Sequence, residues 1–494
     1  MDQNNTNIDK LRKFIPIFFS SEAILFMASM ISFPILTRLL SKTQYGTMTL
    51  ITVSVMIIEN ICSGGMRQSV LRFYGKYKQE EKVKEYFSSI LNSSIIFTFV
   101  GIGLISISTF VLYKFNVFEH DIACLFVFSL LLVVFRIGWM TQQVFLRIQE
   151  KMVLVSLIEI ATKYGNVFLG ILLFIFIRNL YGFYAGMMIA EGMMAIILFI
   201  FIGRKFYNFY VEKPIIIENL QYGIPLLLSG LAIYMVGAGD RYIIAFLKDS
   251  SAVADYVVAI SYAGYGVALI KSVCIYSFQP LIMNEWNKKD TTDKGVALLR
   301  QYVRLYAAIG FPAAFGLIAL RKEGIELLAG IKYTHVDYLV PILVFGILIN
   351  GMDFVTNSGF FYKKKTKSIT FLTMGLATLN LILNLILIPI FGLMGAAIAS
   401  ITSYLVYAAI GIVFTKKILG FIMPWLNICR YLIFSMIMYA VISLIPIDLY
   451  GNLILIITVK VFVGGICYIL LLCLFERKVI SKTLGIGKHK VISK

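Results

Sequence analysis

The chain has 494 residues, of which 59% are hydrophobic and 14% charged, with a mean hydropathy of +0.86. A soluble domain carries about 25% charged residues, and no water-soluble fold hides this much apolar side chain, so a set of soluble domains is excluded. The formal charge of +19 is spread over short segments between apolar runs. It forms no basic domain with interleaved aromatics, which argues against nucleic acid as a partner.

Apolar stretches of roughly 20 residues or more, each long enough to cross about 30 Å of hydrocarbon, recur along the chain. They lie near 14–38, 44–66, 87–113, 121–146, 152–177 and 181–203, then near 220–247, 252–283, 301–320, 337–361, 368–390 and 393–415. Two more follow near 425–447 and 453–475. The expected architecture is therefore an all-α polytopic membrane protein with about fourteen transmembrane helices. The first run is too long for a signal-peptide core and lacks a small-residue cleavage site, so it is expected to remain as a helix.

The runs repeat. Ile15-Pro16-Ile17-Phe18-Phe19-Ser20-Ser21 opens the first, and Ile224-Pro225-Leu226-Leu227-Leu228-Ser229-Gly230 opens the seventh, 209 positions later. Tyr181-Gly182-Phe183-Tyr184-Ala185-Gly186 is echoed 210 positions on by Phe391-Gly392-Leu393-Met394-Gly395-Ala396. This divides the chain into a six-helix lobe over 1–213, a second over 214–418, and two additional helices with a basic tail over 419–494. Six helices per half start both halves on the same side, so the repeats are parallel, related by an axis along the membrane normal. Two lobes of this kind are expected to face a central cavity.

Charge in the connections sets the orientation. One series of loops holds Arg72, Lys76, Lys78, Lys82 and Lys84, then Arg147 and Lys151, then Arg204, Lys205 and Lys213. It continues through Lys288 to Arg300, Lys363 to Lys367, Lys416 with Lys417, and the tail from Arg477 to Lys494. The alternate loops carry fewer basic residues, although the segment from Arg321 to Lys332 is longer. By the positive-inside rule, both termini and the basic loops are expected in the cytoplasm. The same basic face attracts the anionic headgroups of membrane lipids.

Six cysteines, Cys62, Cys124, Cys274, Cys429, Cys467 and Cys473, lie in apolar runs without a Cys-x-x-Cys pair, and there are three histidines. Metal, iron–sulfur and disulfide chemistry need clustered ligands, so no metal and no cofactor are expected. No Gly-x-x-x-x-Gly-Lys-Ser/Thr loop for ATP is present either.

Function should reside in ionisable residues within the spans, because a charge near the bilayer centre costs a few kcal/mol and usually faces a cavity or another charge. Those residues are Glu22, Glu59, Arg136, Glu159, Lys163, Glu191, Asp240, Arg241, Lys271 and Asp353. Glu159 and Lys163 are four apart and share a helix face. They read either as a self-neutralising pair that locks helix packing, or as a cationic contact for an anionic substrate, or as a proton-dependent switch. Arg136 and Lys271 have no opposite charge within a turn, so each requires a water-filled cavity, an acid from another helix or an anionic ligand. Asp240 and Arg241 are adjacent and point about 100° apart on a helix, as in an interhelical bridge. Glu22, Glu59, Glu159, Asp240 and Asp353 are candidates for proton or ion coupling if burial raises their pKa.

Several stretches resemble a known family. Pro34-Ile35-Leu36-Thr37-Arg38-Leu39-Leu40-Ser41-Lys42-Thr43-Gln44-Tyr45-Gly46 resembles the first helix-to-helix turn of bacterial polysaccharide flippases, and Leu71-Arg72-Phe73-Tyr74, Asp240-Arg241-Tyr242-Ile243-Ile244 and Ser277-Phe278-Gln279-Pro280 follow in order. The strongest match runs from Asn380-Leu381-Ile382-Leu383-Asn384 through Pro389 to Gly395-Ala396-Ala397. The chain is thus similar to the Wzx-type branch of the multidrug/oligosaccharidyl-lipid/polysaccharide (MOP) exporter superfamily.

The resemblance implies transfer of undecaprenyl-pyrophosphate-linked oligosaccharide from the inner to the outer leaflet of a bacterial cytoplasmic membrane, for O-antigen or other surface polysaccharide. It implies alternating access without covalent chemistry, so the chain is not expected to be an enzyme. It also implies a polysaccharide polymerase or other glycan-assembly proteins as partners. Arg136, Lys163, Lys271 and Arg241 become candidates for contacting pyrophosphate or acidic sugars. Arg38, Arg72 and Arg241 lie in the matching motifs near helix ends, where gating or positioning fits equally well. The alternatives are a cation-coupled multidrug antiporter and a flippase for lipid-linked peptidoglycan precursors.

Overall fold

The computed structural model describes residues 2–115, 119–209, 211–288, 292–445 and 452–475. Among these residues the chain is all-α. The first half runs α1 (Asp2–Leu39), α2 (Lys42–Cys62), α3 (Met66–Gln79), α4 (Val83–Lys114), α5 (His120–Ile148), α6 (Met152–Ile177) and α7 (Leu180–Leu198). A π turn at Phe199–Gly203 carries α7 into the short α8 (Arg204–Phe206). Then come α9 (Lys213–Leu247), α10 (Ser250–Asn287), α11 (Thr292–Ala319) and α12 (Arg321–Ala329), followed by a 3-10 segment at Ile331–Leu339. The last six are α13 (Val340–Asn350), α14 (Asp353–Tyr362), α15 (Thr366–Phe391), α16 (Leu393–Leu419), α17 (Trp425–Ser443) and α18 (Leu453–Phe475).

Fourteen of the resulting segments are long and apolar enough to cross a membrane, and they coincide with the fourteen runs read from the sequence. Their outer faces agree with a lipid environment. On α4, Phe99, Leu104 and Ile107 are 57%, 62% and 63% exposed, and such a stripe of large apolar side chains would drive association in water.

Helix ends have local causes. Ser41 opens α2 with a reciprocal capping box: its hydroxyl accepts from the Gln44 N–H at 3.1 Å, and Gln44 Oε1 accepts from the Ser41 N–H at 3.0 Å. Asn179 accepts from the Gly182 N–H at the start of α7. The second span departs from the sequence reading, which ends it near 66 and assigns Arg72, Lys76 and Lys78 to a loop. It breaks at Ser63-Gly64-Gly65 and continues as α3. Gly64 and Gly65 hold left-handed backbone at φ 56° and 70°, a conformation only glycine adopts freely. A Cβ on Gly65 would strike the Gly223 backbone of α9, so this break is also a point of close approach to α9. α3 stays helical because it buries Met66, Val70 and Tyr77 with Tyr86, Phe87, Ile90, Phe145 and Ile215 in one core cluster. The tenth span is broken as well, between α13 and α14, which leaves Asp353 in the first turn of α14.

By its contacts the chain forms two compact units, Met1–Val257 with Thr370–Gly392, and Val258–Ile369 with Leu393–Lys494. In the first unit, α6 and α7 pack closely because α7 places glycine at the contact: a Cβ on Gly182 or Gly186 would strike the Leu173 or Leu169 carbonyl. In the second unit, Tyr431, Phe434, Met438 and Ile442 of α17 pack with Ala307 and Tyr468.

Candidate functional site

The first unit gathers four charged side chains into an alternating chain. Glu59, in the last turn of α2, is 5% exposed. Because the helix breaks just after it, Arg67 of α3 returns to it, with Nη2 2.6 Å from Glu59 Oε1. Arg136 of α5 approaches the other carboxylate oxygen at 4.0 Å. Its main partner is Glu191 of α7, which is fully buried. Arg136 Nε donates to both Glu191 oxygens at 3.1 and 3.0 Å, and Nη2 donates to Oε1 at 2.5 Å. Asn166 Nδ2 at 2.9 Å and Trp139 Nε1 at 3.4 Å complete the shell around Glu191. The requirement set by an unpartnered Arg136 is therefore met by an acid from another helix. The pair is bidentate, the strongest arrangement open to arginine.

Glu159 and Lys163 do not form the expected pair. Glu159 Oε1 accepts from Arg147 Nη2 at 3.0 Å and Gln143 Nε2 at 2.9 Å, both on α5. This happens because α5 and α6 run side by side at this level, and Arg147 presents a more directional donor than a lysine one turn along α6. Lys163 is exposed, with no carboxylate partner among the described residues. It lies 11 residues into α6, about 17 Å from its start, and the charge acting on it is that of Arg136. In this region four cations (Arg67, Arg136, Arg147 and Lys163) meet three carboxylates (Glu59, Glu159 and Glu191).

Near the other end of the same unit, α2 and α10 meet at their first turns. Lys42 Nζ lies 3.0 Å from Asp255 Oδ1, and a Cβ on Gly46 would strike the Ser250 carbonyl. Asp240 is 3% exposed, accepts from the Arg241 N–H at 2.9 Å and faces the Tyr256 hydroxyl. Arg241 is half-buried. The next residue, Tyr242, shares a hydrogen bond of 2.7 Å with Ser54. Glu22 and Arg38 are exposed on α1. Arg72 is exposed on α3, with its guanidinium 5.4 Å from the Tyr222 ring centre.

In the second unit, Lys271 of α10 donates to Asp353 Oδ2 at 3.0 Å, with the two side chains 31% and 36% exposed. Here too an acid from another helix answers an isolated cation. A further pair escapes the sequence reading: Lys460 of α18 donates to Glu323 of α12 at 2.5 Å, and both are buried. Lys460 stands alone in an apolar run, which is a readable signal, whereas Glu323 falls in a segment that reads as a loop. Arg67 is missed because the sequence ends the second span just before it.

A family profile described as "Polysaccharide biosynthesis protein" matches residues 12–282, more than half of the chain. The chain belongs to the polysaccharide biosynthesis protein family. An uncharacterized membrane protein of Methanocaldococcus jannaschii is 28% identical over 340 residues, covering 64% of this chain and 63% of its own length. The match thus spans less than two thirds of that relative. Among solved structures, the lipid II flippase MurJ in an inward closed conformation has a TM-score of 0.75 at 17% identity, covering 94% of this chain and 100% of that one. An inward-facing MATE family multidrug resistance transporter of the MOP superfamily has a TM-score of 0.65 at 12% identity, covering 80% and 94%. These likenesses show that the chain shares its fold with these transporters.

Proposed function

We propose that this family member is a flippase that carries a lipid-pyrophosphate-linked oligosaccharide from the cytoplasmic to the outer leaflet. The observation that carries the reading is Lys163: an exposed cation about 17 Å into its helix, whose expected carboxylate is taken by Arg147 and Gln143. A mid-membrane ammonium beside the like charge of Arg136 is a place for an anion. Lys271, a third exposed and paired with Asp353, supplies a second cation that an incoming phosphate can recruit. Moving a bare pyrophosphate-sugar headgroup through hydrocarbon costs many kcal/mol, because polar and charged groups lose their hydration. Fixed cations exposed within the spans lower that barrier while the lipid tail stays in the bilayer. The basic loops support a cytoplasmic-membrane location with both termini inside, and the glycan-assembly partners belong to the same proposal.

The test is transbilayer movement of a labelled lipid-pyrophosphate-oligosaccharide in proteoliposomes, for wild type, Lys163→Gln and Lys271→Gln. Movement by wild type that falls about tenfold in either variant, with folding intact, supports the reading. Movement of lipid-linked peptidoglycan precursors alone reassigns the substrate. Gradient-driven efflux of a cationic dye, without movement of any lipid, reassigns the chain to drug antiport.

A further inference from the structure

One cavity lies wholly within the second unit. Its lining comes from the end of α11, the start of α12, the 3-10 segment, the start of α13 and the last turns of α17. Its volume is about 580 Å³, inside the ~300–1,000 Å³ range of small-molecule sites. The floor is aromatic: Phe315 meets Phe345 edge-on at 5.6 Å between ring centres and Tyr439 at 5.9 Å. The rim is charged. Arg321 Nε donates to Asp337 Oδ2 at 2.9 Å, which engages the one carboxylate in the lining. Lys322, beside it and exposed, has no ion-pair partner among the described residues.

We propose that this cavity binds an anionic membrane lipid, with Lys322 against the headgroup phosphate and the three rings beneath the top of the acyl chains. Position favours a lipid. α11 ends at Ala319, α13 begins at Val340 and α17 ends at Ser443, so three spans leave the hydrocarbon at this level. Aromatic side chains settle at that depth because one end is apolar and the other wet. A lysine there keeps its stem along apolar surface and its ammonium at the headgroups. Charge selects the lipid class. One cation in excess over the paired Arg321 and Asp337 complements a monoanionic phosphodiester, whereas a neutral sugar would need a fuller set of neutral hydrogen-bonding groups than this largely apolar lining offers. On the orientation expected from the loop charges, this face is outside and the lipid is drawn from the outer leaflet.

The experiment is native mass spectrometry of the full chain released from detergent micelles, supplied with phosphatidylglycerol or phosphatidylcholine of identical acyl chains. Wild type is expected to retain phosphatidylglycerol preferentially. Lys322→Glu should lower that occupancy about fivefold or more, as for loss of one basic residue at a membrane surface, and leave phosphatidylcholine unchanged. Lys322→Arg should restore it. Thermal unfolding reports whether Lys322→Glu is folded, and Lys322→Gln gives the same reading if it is not. Unchanged phosphatidylglycerol occupancy in the folded variants overturns the proposal. Displacement of the lipid by glucuronate, at concentrations where glycerol phosphate has no effect, overturns it in favour of an acidic-sugar site. Competition by glycerol phosphate as strong as by the intact lipid overturns the role of the acyl chains and leaves a free-phosphate site.

Discussion

Arg136 and Lys271, one in each unit, are alike in sequence: each is an isolated cation deep in an apolar run. Their surroundings differ. Arg136 is 8% exposed and locked on a fully buried Glu191, with Glu59 and Arg67 extending the alternation. Lys271 makes a single contact to a carboxylate, and both partners are about a third exposed. A buried pair of the first kind is hard to open, because separating it strands a charge away from water. A pair of the second kind is held weakly and exchanges partners at little cost. On the proposed function, Arg136 is framework, Lys271 is a substrate contact, and Lys163 is a cation with no carboxylate partner among the described residues.

The strongest way to break that comparison is Glu191→Ala. It leaves Arg136 buried with only the Glu59 oxygen 4.0 Å away, and is expected to destabilise the protein by about 3–5 kcal/mol, seen as a large fall in the unfolding temperature in detergent. Replacing Arg136 and Glu191 together by Met and Leu should recover much of the loss, since removing both charges removes the stranded one. A Glu191→Ala protein of wild-type stability that fails in transport would make Arg136 a substrate contact and sink the distinction.

The next test concerns the break that returns Arg67 to Glu59. Gly65→Ala forces a side chain into left-handed backbone and onto the Gly223 backbone. A cost of about 1–3 kcal/mol is expected, again read by thermal unfolding. Gly75→Ala, at a helical position with open space around it, should be neutral or slightly stabilising. Equal behaviour of the two would show that the close approach of α3 and α9 does not hold this region together.

These contrasts mark what the sequence could and could not convey. The fourteen spans are readable because each exceeds the bilayer thickness in apolar residues, a one-dimensional property. The break at Gly64-Gly65 is not, since apolar character continues to Met66 and only then gives way to the amphipathic α3. Pairing is the least accessible part. A spacing of four places Glu159 and Lys163 on one face, yet the Arg147 fork on the neighbouring helix takes the carboxylate. Arg136 with Glu191, Lys271 with Asp353 and Lys460 with Glu323 join residues 55, 82 and 137 positions apart. Isolated intramembrane charges announce that partners exist, but only helix packing says which.

Lys271→Gln sharpens the other side of the comparison. Because the pair is a third exposed, the stability change should stay below ~1 kcal/mol. The apparent affinity for the lipid-pyrophosphate substrate should fall about tenfold, the size of one lost hydrogen bond to a charged group. Asp353→Asn removes the competing carboxylate and should leave that affinity equal or higher at unchanged stability. A fall of similar size in both variants would mean that the pair acts as a unit, like the buried cluster.

The smallest effect is expected for Glu159→Gln, and it separates two geometries. If Glu159 neutralised Lys163, as their spacing suggests, the substitution would free the ammonium and strengthen anion binding. In the observed arrangement Glu159 already serves Arg147 and Gln143, and the Arg147–Glu159 pair is 41% and 29% exposed. Loss of a pair this exposed should change stability by less than ~1 kcal/mol, and Lys163 is not its partner. Binding of the lipid-pyrophosphate substrate, measured by titration in nanodiscs, should therefore shift by less than about threefold, while Lys163→Gln in the same assay weakens it about tenfold. A marked gain in affinity for Glu159→Gln would show that Lys163 is held in check by its own helix, and that the open cation in the first unit depends on which acid Arg147 keeps.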